Sequence, residues 1–295
     1  MNNSAVLLID CPDQRGLVAR VSNLLYEMGA NILHADQHQD HAAGLFFMRV
    51  EWALDSVDGS SSGEGSGAVF DLATFAEKFA PLAASLQMRW KLSTSQHPQR
   101  VALFCSQYLH CMADLLHRWR TGELRCEIPV IVSNHRSVEN LAAFYNVPFE
   151  YVPVTAASKA EAEARQQEIV ARHKIDLIVL ARYMQILSPT FVASHPRSII
   201  NVHHSFLPAF TGAKPYHAAY ERGVKLIGAT SHYVTEVLDD GPIIEQDVAR
   251  ISHRDQVEDL VERGRDLERI VLSRAVRWHL DRRILCYGNK TVVFD

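Results

Sequence analysis

From Val101 to Val202 the sequence keeps one rhythm, in which short apolar runs alternate with helical stretches. Val101–Phe104, Ile128–Val132, Phe149–Val154, Ile175–Leu180 and Ser198–Val202 read as strands. Between them, Leu109–Trp119, Val138–Tyr145, Ser158–His173 and Pro189–Ser194 read as helices, with Ser158 and Glu161 spaced for a capping box. Few folds satisfy that order. Parallel strands need a long crossover, usually a helix, and the crossovers cover both faces of the sheet. The apolar run Ile175–Leu180 suits a strand buried on both sides. The expected fold is therefore α/β, a doubly wound, mostly parallel sheet. Ligands of such sheets lie beyond the carboxyl ends of the strands. Chemistry is expected just after Phe104, Leu180 and Val202.

Residues 1–92 follow another order. Ala5–Ile9 reads as a strand, Cys11-Pro12-Asp13 as a turn and Gly16–Met28 as a helix, with Leu17, Val18, Val21, Leu24, Leu25 and Met28 on one face. Ile32–Gln39 and Leu45–Trp52 read as strands, Val69–Leu82 as a helix and Ser85–Leu92 as a strand. That is the β-α-β-β-α-β order of a ferredoxin-like α+β domain. The Gly/Ser-rich segment 55–67 (DSVDGSSSGEGSG) reads as a surface loop inside it. Polar residues 93–99 (STSQHPQ) read as a linker, and 100–295 as the second domain.

Composition narrows the function classes. A formal net charge of −4 argues against a nucleic-acid partner, which favours a basic face. No apolar run approaches the roughly 20 residues of a membrane span, and no secretory leader is visible. Cys11, Cys105, Cys111, Cys126 and Cys286 are odd in number and scattered, which fits reduced thiols and a cytoplasmic location.

The candidate site follows Ser198-Ile199-Ile200. Side chains alternate along a strand, so Asn201 and His203 face one side and His204 the other. An amide beside an imidazole can hold a developing oxyanion, and His203 can also shuttle a proton. Later, a strand-like run from Lys225 ends at His232-Tyr233-Val234 and leads into Asp239-Asp240-Gly241. This triplet is an ordinary acidic turn, or else one aspartate meets His203, favours its charged form and orients a water. His203, His204, His217 and His232 match no common zinc spacing, and no metal is expected. Asp255–Arg283 carries charges of both signs at helical spacing and reads as a solvated helix face.

Two resemblances sharpen this. The front part, with CPDQRGLVARVSNLL and Gly16 at its strand-to-helix turn, resembles an ACT domain. That resemblance implies oligomer building or an amino-acid effector near Asp13, Gln14, Arg15, Gly16, Leu17 and Asn31. NVHHSFLPAFTGAKPYHAAYERG and GATSHYVTEVLDDGPII resemble the active-site signature of folate-dependent formyl enzymes, the glycinamide ribonucleotide formyltransferases and their relatives. By resemblance, Asn201, His203 and Asp239 are the catalytic trio, the acid being the one directly after Leu238. His204 and Ser205 would support them. Arg182, Tyr183, Met184, Gln185, Ile186 and Leu187, with Val237 and Leu238, would form the folate pocket.

The acceptor is a separate question. The ribonucleotide formyltransferases carry a Gly-rich loop after the first strand, where backbone N–H groups approach a phosphate. Here that place reads Cys105-Ser106-Gln107-Tyr108-Leu109-His110, without glycine, which disfavours a phosphorylated acceptor and leaves water. An ACT-like domain before such a catalytic domain resembles the formyltetrahydrofolate deformylases over nearly the whole chain. The implied reaction converts 10-formyltetrahydrofolate and water to formate and tetrahydrofolate. It would supply formate for purine synthesis and balance the one-carbon folate pools, with no cofactor beyond the folate substrate. Asp239 would orient the water and keep His203 charged. Asn201 and His203 would stabilise the oxyanion, and His203 would protonate the departing nitrogen. The alternatives are formyl transfer to an amine, on a sugar nucleotide or methionyl-tRNA, and a regulatory protein without catalysis. A homo-oligomer is expected from the ACT-like part.

Overall fold

The computed structural model describes residues 3–54, 70–209 and 215–295. The loop expected over 55–67, Val69 of the second helix, and residues 210–214 of the long motif lie outside the described residues. By contacts the chain divides into two units, Met1–His97 with Arg282–Leu285 and Val292–Asp295, and Pro98–Asp281 with Cys286–Thr291. The last residues thus fall to the first unit, unlike the expectation of one domain over 100–295.

In the first unit, β1 (Ser4–Pro12), α1 (Leu17–Glu27), β2 (Asn31–Asp40), β3 (Leu45–Ala53), α2 (Leu72–Ser85) and β4 (Arg89–Thr94) follow one another. The sheet order is β2-β3-β1-β4, and its pairs are antiparallel, which is the ferredoxin-like arrangement. Three boundaries differ from expectation. The strand β1 runs on through Pro12 because Asp10, Cys11 and Pro12 stay in register with Phe47, Phe46 and Leu45 of β3. Ser85 closes α2, its Oγ donating to the Leu82 carbonyl, so β4 starts only at Arg89. Ser93 and Thr94 belong to β4, which shortens the linker expected over 93–99. The core is apolar and aromatic, with Leu7, Ile9, Leu25, Trp52, Phe75 and Phe79 each fully buried. Leu17 belongs to that core, so of the expected effector residues it is the one turned away from solvent.

The second unit runs β5 (Gln99–Cys105), α3 (His110–Arg120), β6 (Cys126–Ser133), α4 (Glu139–Phe144), β7 (Phe149–Tyr151), α5 (Lys159–Arg172), β8 (Leu177–Leu180), α6 (Pro189–Ala193) and β9 (Ile199–His203). It continues with α7 (Pro215–Arg222), β10 (Leu226–Tyr233), β11 (Ile243–Arg250) and α8 (Val257–Leu280). Its sheet order is β11-β10-β9-β8-β5-β6-β7. From β9 through β7 the strands are parallel, while β10 and β11 return antiparallel.

Two helix readings need correction. The capping box expected at Ser158 is not made, because its Oγ accepts from the Thr155 N–H and pairs with the Thr155 hydroxyl in a local turn. A capping box forms instead at α8, between Gln256 and Asp259. Nor is α8 merely a solvated face. It packs on β9, β10, β11, α3 and α7, burying Leu260, Leu267, Val271, Leu272 and the carboxylate of Glu268.

Candidate active site

Within the second unit, a cavity of about 520 Å³ opens beyond the carboxyl ends of β5, β8 and β9, where a parallel sheet places its ligands. Tyr108 and His110 follow β5, residues 182–187 follow β8, and Asn201–His204 end β9. The turn after β10, Pro215–His217, and Val261, Arg265 and Glu268 of α8 complete the wall. Ser106 ties two of these segments together. Its N–H donates to the Arg182 carbonyl, and its Oγ accepts from the Met184 N–H at 3.0 Å.

The register of β9 and β10 sets the chemistry. Asn201 lies opposite His232 and His203 opposite Thr230. The His232 Nδ1 donates to the Tyr233 carbonyl at 3.0 Å. Its Nε2 lies 3.4 Å from Asn201 Nδ2. The hydroxyl of Thr230 donates to the Ser205 carbonyl and accepts from the Leu207 N–H, fixing the chain just past His203.

Asp239 arrives by a turn. The chain leaves β10 beside Ile199, makes an excursion through Thr235–Leu238, and returns at Gly241. A Cβ on Gly241 would stand 1.7 Å from the Tyr233 carbonyl oxygen, so only glycine lets the returning strand pass this close. Asp239 itself sits at φ +55°, a left-handed conformation that Asp tolerates better than most residues. Its Oδ2 then lies 3.1 Å from His203 Nδ1, and its Oδ1 3.7 Å from His232 Nε2. Burial opposes ionisation of Asp239, but the hydrogen bonds and charge of the two histidines outweigh it and hold the carboxyl well below its ordinary range. With Nδ1 engaged, the other ring nitrogen of His203, Nε2, is buried and has no hydrogen-bond partner.

Asn201, His203 and Asp239 are thus brought together, and Asp240 is exposed. The strand ends at His203, so the alternation stops there and His204 also faces the cavity, against the expectation that it points away. Its ring stands 5.2 Å from that of His203 and 6.0 Å from that of Tyr216. Burial and the nearby Arg182 cation push its pKa down to about 4. Ser205 bonds the Ala209 carbonyl and shapes the turn. Of the expected folate residues, Met184, Ile186 and Leu238 present exposed side chains at the cavity, and Val237 is exposed beside them. Tyr183 turns into the core, its hydroxyl accepting from Gln166 at 2.6 Å.

Arg182 goes elsewhere. Its guanidinium stacks over Tyr108 at 5.1 Å and lies 3.4 Å from Glu268. The Glu268 carboxylate, 1% exposed, also binds His110 Nε2 at 2.7 Å and accepts from the Tyr216 hydroxyl at 2.8 Å. Burial opposes its ionisation, but these partners prevail and lower its pKa. Gly264, one turn earlier, makes room, since a Cβ there would meet the Tyr216 ring at 2.1 Å. None of Tyr108, His110, Tyr216, Arg265 and Glu268 was singled out from the sequence as a site residue. One signal was present, because Glu268 interrupts the apolar spacing of Leu267, Val271 and Leu272. Among the described residues, His110, Cys111 and Glu268 also form a group with metal-ligand atoms in reach of one another. His110 and Glu268 there already satisfy each other.

The chain resembles known proteins over nearly its whole length. A formyl transferase family model matches residues 99–276, and an ACT domain model matches residues 5–51. A formyltetrahydrofolate deformylase of Synechocystis sp. is 50% identical over 293 residues, covering 99% of each chain. One of Bacillus subtilis is 48% identical over 98% of this chain and 93% of its own. The crystal structure of a formyltetrahydrofolate deformylase from Pseudomonas syringae pv. tomato superposes with a TM-score of 0.93 at 47% identity, covering all of this chain and 95% of that one.

Proposed function

The chain belongs to the formyltetrahydrofolate deformylase family, built on a formyl transferase domain behind an ACT domain, and from that premise we propose how its cavity hydrolyses 10-formyltetrahydrofolate to formate and tetrahydrofolate. The observation that carries the reading is the orphaned Nε2 of His203, buried in the cavity while Asp239 holds the opposite ring nitrogen. Asp239 holds Nδ1 of the His203 ring, and the Nε2–H faces the formyl oxygen beside the Asn201 amide. Water adds its oxygen to the formyl carbon and releases one proton to bulk solvent, and the two donors carry the resulting oxyanion. His203 gives its proton to the folate nitrogen as the C–N bond breaks. The added hydroxyl leaves with the formyl carbon as formic acid, which ionises and restores the proton to His203. The ring of the folate lies against Met184, Ile186, Leu187 and Leu238.

Water as acceptor is favoured by what fills the loop after β5. Tyr108 and the Arg182 guanidinium stacked on it stand where a phosphorylated acceptor would need open backbone N–H groups. The first unit carries assembly and effector binding. Asp13–Gly16 and Asn31 are exposed there, as is nearly all of the edge strand β2. Formate release from 10-formyltetrahydrofolate, with no amine present, tests the reading. The parent yields formate and tetrahydrofolate in equal amounts, and Asn201→Ala loses roughly 10²–10³ in rate, the usual cost of one oxyanion donor. Turnover only after an amine is added would make the enzyme a transferase.

A further inference from the structure

Arg182 is placed at some cost and then left partly unused. Its backbone sits at φ +62°, a region that residues with a Cβ seldom occupy and that marks functional strain. The side chain it launches is 10% exposed. Tyr108 backs one face of the guanidinium, and Arg265 also approaches that ring, at 5.9 Å. Glu268 neutralises one charge, but its two oxygens are already bonded to His110 and Tyr216. At 3.4 Å the contact to Arg182 is an ion pair without a hydrogen bond, and Nε and Nη1 have no hydrogen-bond partner. A buried guanidinium with idle donors is costly unless something accepts from them. Both Arg182 and Arg265 line the cavity that contains His203.

We propose that Arg182 is a carboxylate-binding subsite of this cavity, taken by the formate that hydrolysis releases. A planar guanidinium matches a carboxylate in two parallel N–H···O bonds. Formate is the smallest carboxylate and is made at His203, in the same cavity. On the side of the cavity that Glu268 occupies, Arg182 and Arg265 leave one positive charge over, and the other lining carboxylates are Asp239, paired with His203, and the exposed Glu236. The occupant rests on the hydrolytic reading, whereas the subsite itself does not. The other source of the same chemistry is the glutamate carboxylate of the folate substrate.

Titrating the full chain with ¹³C-formate and following its line width separates these. The parent broadens the formate line, Arg182→Gln weakens binding roughly ten- to a hundredfold, as expected for charged hydrogen bonds, and Arg182→Lys recovers part of it. Formate added to turnover, read by tetrahydrofolate absorbance, inhibits the parent and spares Arg182→Gln. In a second arm, KM is compared for 10-formyltetrahydrofolate and for the analogue lacking its glutamate. No formate binding, but a tenfold rise of KM in Arg182→Gln seen only with the glutamate-bearing substrate, assigns the subsite to the substrate's own carboxylate. Unaltered formate binding in a folded Arg182→Gln overturns the proposal. So does a parent that neither binds formate nor discriminates the two substrates, whatever the variant's folding. A parent that binds formate but releases none would instead break the hydrolase reading and leave the subsite standing.

Discussion

Asp239 and Glu268 are two carboxylates on the wall of one cavity, each paired with a histidine and each held below its ordinary pKa. They differ in what carries them. Asp239 sits in a turn, in a left-handed conformation, with the Nε2 of its partner histidine still unpaired. Glu268 sits in the middle of a 24-residue helix with both oxygens consumed by His110 and Tyr216. A carboxylate whose hydrogen-bonded histidine keeps an unpaired ring nitrogen can take part in chemistry, whereas Glu268, bonded at both oxygens, holds His110, Tyr216 and the charge of Arg182 in place. A glycine guards each, Gly241 for the turn and Gly264 for Tyr216. Similar electrostatics thus serve two ends, and connectivity decides which.

The sharpest way to break this contrast is Asp239→Asn. It should lower kcat by roughly 10²–10⁴, the range for a group governing proton transfer, and it should cost stability as well, since the lowered carboxyl pKa is itself a contribution to folding. A loss of stability with kcat unchanged would place Asp239 with the scaffold. Glu268→Gln should do the reverse, costing about 3–5 kcal/mol, as breaking a buried charged pair does, with a smaller fall in kcat. Its signature is the pH dependence. The folded chain binds a proton at Glu268 less readily than the unfolded chain does. The stability Glu268 contributes is therefore complete above the ordinary value of 4.5 and is lost as pH falls through the lower folded value. Denaturant unfolding at stepped pH should show the gap between parent and Glu268→Gln narrowing below that point. A constant gap would mean that shape and not charge is at stake.

The smallest effect belongs to His204, between the two regions. Its pKa falls from an ordinary 6.5 to about 4, so on acidification the unfolded chain takes up this proton first. The stability tied to neutral His204 is complete above 6.5 and declines as pH drops towards 4. His204→Gln should flatten the loss of stability across that window by less than one proton's slope. An unchanged slope would show that the ring is already protonated in the folded state.

What the sequence made legible follows the same division. The alternation of strands and helices defined the parallel sheet, and the two-residue period put Asn201 and His203 on one face. The residues alone left the acidic turn after β10 open, and it was the resemblance to the formyl enzymes that singled out Asp239, directly after Leu238. The second carboxylate was missed, because the break that Glu268 makes in the apolar spacing marks a charge within the helix face without showing that it meets a cavity. Its partners His110, Arg182 and Tyr216, with Tyr108 stacked under Arg182, come from distant segments that only the folded chain assembles. His204 was misread because the strand period was carried one residue past the end of the strand. The capping box at Ser158 failed for a similar reason, since Thr155 offered its hydroxyl a nearer partner.

The strand β9 is paired on both sides, with β8 in parallel register and with β10 antiparallel. Amide exchange in such an interior strand proceeds only when large parts of the domain open together. The N–H groups of Asn201 and His203 should therefore be among the last to exchange, and those of the Thr235–Asp239 turn among the first. The strand that carries Asn201 and His203 is then as long-lived as the fold itself, while the carboxylate that meets His203 is renewed on the faster clock of a loop.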